Sequence, residues 1–114
     1  MDFKTIKVDF EQNKAIVTIK EKRIYLGITD LFREDMMSVL DQDFDELIAN
    51  LEQVAVMNSA GLGVLIMAQD TIKKRGGKIK LTNLQPLMQD IFARMRLDTL
   101  FEIFDSIDEA LAQK

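Results

Sequence analysis

A chain of 114 residues, 47% of them apolar, can build one hydrophobic core but not two, so a single domain spanning 1–114 is expected. It contains no cysteine and no histidine, which removes the usual parts for zinc binding, thiol catalysis and serine–histidine hydrolysis. The net charge of −4, with both signs interspersed, offers no basic field to gather a polyphosphate, and nucleic acid is not expected as a partner.

Thr5-Ile6-Lys7-Val8-Asp9-Phe10 alternates polar and apolar, and Ala15-Ile16-Val17-Thr18-Ile19-Lys20 is β-branched. With Glu11-Gln12-Asn13-Lys14 as turn material between them, they predict an N-terminal hairpin. Glu21 to Ile28 begins charged, turns apolar and carries Gly27, and is read as a connecting loop. Thr29 is a candidate cap for a first helix that carries Phe32, Met36, Val39 and Leu40 on one side and ends at Asp41-Gln42-Asp43.

The apolar run Leu47-Ile48-Ala49-Asn50-Leu51 predicts a covered strand. A second helix is predicted from about Ala60 to Arg75, with Leu62, Leu65, Ile66 and Ile72 at helical spacing and Lys73-Lys74-Arg75 facing its own carbonyl end before Gly76-Gly77. Lys78-Ile79-Lys80-Leu81-Thr82 alternates as a strand with one wet face. Pro86 suits the first turn of a third helix, in which Leu87, Met88, Ile91, Phe92 and Met95 form the buried stripe. A short strand at Phe101-Glu102-Ile103-Phe104 is followed by Ser106 and Glu109, spaced as a capping box for a last helix through Leu111. The order β-β-α-β-α-β-α-β-α implies an α/β domain: a mixed, mostly parallel β-sheet with an N-terminal hairpin, packed by about four helices. No apolar run approaches the roughly 20 residues of a membrane span, and the N-terminus has no charged-then-apolar leader, so a cytoplasmic protein without membrane contact is expected.

Met57-Asn58-Ser59-Ala60-Gly61-Leu62-Gly63 is the candidate functional stretch, placed where a covered strand gives way to an amphipathic helix. A serine at a helix start caps a free N–H and stabilises the helix by roughly 0.5–2 kcal/mol, and Asn58 is equally suited to that task. The glycines need another reason, because each costs about 1 kcal/mol against alanine within a helix. Bare backbone in a first turn allows close approach by a neighbouring strand, a partner protein or an anion. Gly-Leu-Gly is neither a dinucleotide fingerprint nor a P-loop.

These residues, with Lys74-Arg75-Gly76-Gly77-Lys78-Ile79 and the stretch from Leu97 to Leu111, give the chain a close resemblance to anti-sigma factor antagonists of the STAS domain family. The resemblance implies a single STAS-like domain that is a binding module, not an enzyme, with no cofactor and no metal. In that family the serine of an Asp-Ser-small-Gly-Leu-Gly motif is phosphorylated by a kinase that is also the anti-sigma factor, and a serine phosphatase reverses the step. By position the phosphoacceptor is Ser59, and Met57, Asn58, Ala60, Gly61, Leu62 and Gly63 are the partner-binding residues. The resemblance therefore implies an anti-sigma factor serine kinase and a serine phosphatase as partners of a monomer or weak dimer. Asn58 stands where the family has aspartate, and Glu21-Lys22-Arg23-Ile24-Tyr25 where it commonly has Gly-x-Leu/Ile-Asp. The alternative is a non-phosphorylated STAS scaffold in a signalling or transport complex.

Overall fold

The computed structural model describes residues 1–113. Its hairpin pairs β1 (Ile6–Glu11) with β2 (Lys14–Ile19) antiparallel, Ile6 opposite Ile19 and Glu11 opposite Lys14. The reversal is a two-residue turn in which Gln12 has φ 55°. From β2 onward the sheet is parallel, through β4 (Glu46–Asn50), β6 (Lys78–Thr82) and β7 (Glu102–Phe104), in the order β1-β2-β4-β6-β7. Because side chains alternate between faces, Ala15, Val17, Ile19, Leu47, Ala49, Ile79 and Leu81 join one buried cluster. Phe32, Met36 and Val39 of α1 (Leu26–Leu40) and Leu62, Leu65, Ala68 and Ile72 of α2 (Ser59–Lys74) belong to the same cluster.

The segment expected to be a loop, Glu21 to Ile28, is structured. It holds β3 (Arg23–Ile24), which pairs in parallel with β5 (Val56–Met57), and the first residues of α1. Thr29 therefore lies inside the helix instead of capping it; its hydroxyl donates to the Tyr25 carbonyl at 2.8 Å. Tyr25 occupies the cap position and makes no side-chain cap hydrogen bond. The apolar period that begins at Phe32 extends one turn back to Ile28, which packs on the core, and this draws the helix start forward.

Four other expectations change. In α3 (Pro86–Arg94) only Met88 and Phe92 are fully buried, while Leu87 and Met95 are exposed, because the helix presents one narrow face to its neighbours. Arg75 does not serve its own helix: its guanidinium donates to the carbonyls of Leu40 at 2.6 Å and Gln42 at 3.2 Å, closing the end of α1, and lies 4.3 Å over the Phe44 ring. The far face of β6 is dry, not wet. Lys80, 1% exposed, donates to the carbonyls of Ala110 and Gln113 at 2.8 and 2.6 Å and pairs with Glu46 at 2.6 Å, beneath α4 (Ile107–Ala112). A buried ammonium is tolerable there because every proton faces an acceptor. The capping box of α4 forms in altered shape: Ser106 accepts from Glu109 N–H, while the Glu109 carboxylate reaches Asp105 N–H.

Candidate functional site

The candidate site is the shared N-terminal tip of α1 and α2. Strands β3 and β5, paired Arg23 to Val56 and Ile24 to Met57, feed the two helices side by side. Asn58 is the cap of α2: its Oδ1 accepts from Gly61 N–H at 2.7 Å, and its own N–H donates to the Ile24 carbonyl at 2.9 Å. Its Nδ2 donates to Thr29 Oγ1 at 3.2 Å, and that hydroxyl in turn donates to the Tyr25 carbonyl. One amide thus ties the start of α2 to the first turn of α1. The Thr29 hydroxyl also lies 3.4 Å from Asn58 Oδ1, so an aspartate could accept from both Gly61 and Thr29; asparagine adds a donor, which serves the Thr29 oxygen while that hydroxyl donates to the Tyr25 carbonyl.

With Asn58 as the cap, Ser59 becomes the first helical residue and is relieved of the capping task. Ser59, Ala60 and Gly63 are exposed and Asn58 is half-buried, whereas Met57, Gly61 and Leu62 are buried. The two glycines differ in kind. A Cβ on Gly61 would stand 2.5 Å from Met57 Cγ and 2.7 Å from Ile24 Cγ2, so this glycine lets α2 close on the β3–β5 pair. A Cβ on Gly63 would meet nothing within 4 Å, so no neighbour within the chain asks for a glycine there.

Neither helix has an acidic residue in its first turn, and the positive ends of both dipoles are left uncompensated at this edge. The depressions of about 380 and 410 Å³ are lined by Asn83, Phe92, Asp98 and Asp105 and by Asn13, Lys14, Glu46 and Lys78, away from the tip. Among the described residues no group of three or more His, Cys, Asp or Glu could hold a metal ion, and no helix is long and apolar enough to cross a membrane. No tip residue lines those depressions, and the tip carries the exposed hydroxyls of Ser59 and Tyr25.

The sequence profile of the STAS domain matches residues 5–110. The chain belongs to the STAS domain family. Among the relatives of this STAS domain is the anti-sigma-B factor antagonist of Bacillus subtilis (strain 168), 30% identical over 99 residues, or 86% of this chain and 90% of that protein. Two solved structures share its fold. An anti-sigma factor antagonist from Mycobacterium paratuberculosis is 19% identical over 95% of this chain and 91% of its own, with a TM-score of 0.84. An anti-sigma-factor antagonist (STAS) domain protein from Planctomyces limnophilus is 16% identical over 94% of both chains, with a TM-score of 0.85.

The sequence predicts a loop at Ile24 and Tyr25 and a cap at Thr29, whereas the structure makes them strand, cap and helix beside Asn58. The signal available was Ile28, four residues before Phe32, which continues the apolar face of α1 and places the preceding residues at its start.

Proposed function

We propose that this STAS domain is a cytoplasmic anti-sigma factor antagonist that docks on a serine-kinase anti-sigma factor and is released when that kinase phosphorylates Ser59. The observation that carries the reading is the position of Ser59: exposed, first in α2, with its capping role taken by Asn58. Ser59, Ala60, Gly63 and the exposed edge of Asn58 form the contact, and Met57, Gly61 and Leu62 hold it from beneath. In the phosphorylation step Ser59 Oγ bonds to the γ-phosphorus of ATP as the bond to the ADP oxygen breaks, and the hydroxyl proton passes to a base of the kinase. A serine phosphatase restores the hydroxyl with water.

The added charge of about −1.5 to −2 acts on docking, not on the fold. At the first position of a helix an anion is favourable by about 0.3–1 kcal/mol, so the phosphorylated domain is expected to be at least as stable as the free one. Against a partner's surface the same phosphate must lose its water or meet like charge, and each 1.4 kcal/mol of that cost is tenfold in affinity.

The test takes the serine-kinase anti-sigma factors of the source genome, purified one by one, and incubates each with the chain and ATP before phosphopeptide mapping. Phosphate on Ser59, with binding kept in Ser59→Ala and weakened at least tenfold in Ser59→Asp, is the expected result. Phosphate elsewhere or on no residue refutes the assignment. Equal binding by both variants favours the scaffold alternative.

A further inference from the structure

Parallel pairing of β3 and β5 has a consequence for which residues meet at the tip. Ile24 lies opposite Met57, the next residues Tyr25 and Asn58 are the caps of α1 and α2, and the residues after those, Leu26 and Ser59, open the two helices. The register brings the two caps to one edge, Asn58 N–H donating to the Ile24 carbonyl at 2.9 Å, and Leu26 and Ser59 open the helices from that edge. Leu26 is 87% exposed, more than any other large apolar side chain among the described residues, and Tyr25 beside it is 57% exposed.

Neither residue is explained by the fold. A helix cap favours Ser, Thr, Asp or Asn, and Tyr25 makes no cap bond. Leu26 covers nothing in its own chain. Two successive positions that break local rules without a compensating contact mark a site whose partner is elsewhere. Exposed Lys22 and Arg23 precede them, and neither forms an ion pair among the described residues. In a chain of net charge −4, the exposed charges just before the α1 cap are cations, with Glu21 half-buried before them and Asp30 paired with Arg33, and neither helix has an acid in its first turn.

We propose that Leu26, backed by Tyr25, is the apolar anchor of the docking surface and enters an apolar pocket rimmed by carboxylates on the anti-sigma factor. This rests on the function proposed above and deepens it, since it states what the phosphate acts against. A phosphoryl group on Ser59 would share this edge with Leu26, bring its hydration shell to the rim of that pocket and face the carboxylates that Lys22 and Arg23 attract. One edge of the molecule thereby supplies both the attraction and its cancellation.

The test measures binding of the full chain to the purified anti-sigma factor that phosphorylates Ser59, by calorimetry, alongside thermal unfolding of the chain alone. Leu26→Ala is expected to weaken binding by about 10- to 100-fold, as loss of a central apolar anchor does. Leu26→Met is expected to stay within about threefold, since it keeps the volume and apolar character. Leu26→Glu is expected to bind least while unfolding no earlier than wild type, because a carboxylate suits a helix start but not an acidic rim. Normal binding and normal Ser59 phosphorylation in both the Ala and Glu variants overturn the anchor and leave the proposed function standing. Absence of any kinase that binds and phosphorylates the wild-type chain overturns both.

Discussion

Gly61 and Gly63 lie two residues apart in α2, and a methyl group on each is expected to act with opposite sign. At position 63 the added Cβ finds open space, so Gly63→Ala should gain the full helix preference of alanine, about 0.8–1 kcal/mol, and raise the melting temperature by about 4 °C. At position 61 the same gain is set against a Cβ 2.5 Å from Met57 Cγ and 2.7 Å from Ile24 Cγ2. Both neighbours are buried, and the Ile24 methyl sits on a branched carbon that cannot swing away alone. Overpacking of this kind costs about 1–3 kcal/mol, so Gly61→Ala should come out level to about 2 kcal/mol destabilised. The two variants are then separated by about 1–3 kcal/mol. Urea unfolding with the slope held common reads this difference directly. A Gly61→Ala domain as stable as Gly63→Ala would refute the close approach of α2 to the β3–β5 pair. Partner binding adds a second reading: a stabilised Gly63→Ala domain with weakened docking would show that position 63 is kept bare for the partner, not for the fold.

Asn58→Ala removes the cap and the link to Thr29 and should cost about 0.5–2 kcal/mol by chemical denaturation, whereas Asn58→Asp keeps the cap and should lose less. An alanine variant as stable as wild type would contradict the capping geometry. Lys80→Met leaves the buried Glu46 carboxylate with Lys14 as its remaining partner, at 3.2 Å, and should destabilise by about 3 kcal/mol. Hydrogen exchange should rise most in 107–112, where the variant strips the ammonium from the Ala110 carbonyl; unchanged exchange there would refute the anchoring role of Lys80. The Asp2 carboxyl, hydrogen-bonded by Lys20 at 3.0 Å and next to its charge, is held below its ordinary 3.8. A depressed carboxyl contributes stability above its unfolded value and loses it as pH falls through the folded one. An NMR titration should place the midpoint below 3.8 and return it toward 3.8 in Lys20→Met; a midpoint unmoved by that substitution would exclude the pair.

The elements with strong periodicity were legible in the sequence. Ile6 and Val8, and Ile79 and Leu81, turn inward as alternation requires, and Phe32, Met36, Val39 and Leu40 are buried together on α1. The placement of Ser59 at a helix start was legible too, because the change of period from strand to helix falls there. Errors gathered where a side chain's task depends on a distant element. Lys80 reads as a wet lysine until α4, thirty residues on, brings its carbonyls over it. Arg75 reads as a cap for its own helix until the end of α1 offers better acceptors. Leu87 and Met95 fit an apolar stripe, yet sequence period does not tell how wide a face the neighbours will cover.

By itself the sequence determined the class of fold, the order of its main elements and the placement of Ser59 at a helix start, because hydrophobic period, turn chemistry and motif spacing are local properties. The tertiary structure decided who performs each task at the tip. The pairing of two dipeptides, Arg23-Ile24 with Val56-Met57, brings two helix starts together across more than thirty residues of chain. Neither dipeptide has a periodicity of its own to announce it. That contact gives the cap to Asn58, leaves the Ser59 hydroxyl free of that task, and puts Leu26 at the start of the neighbouring helix.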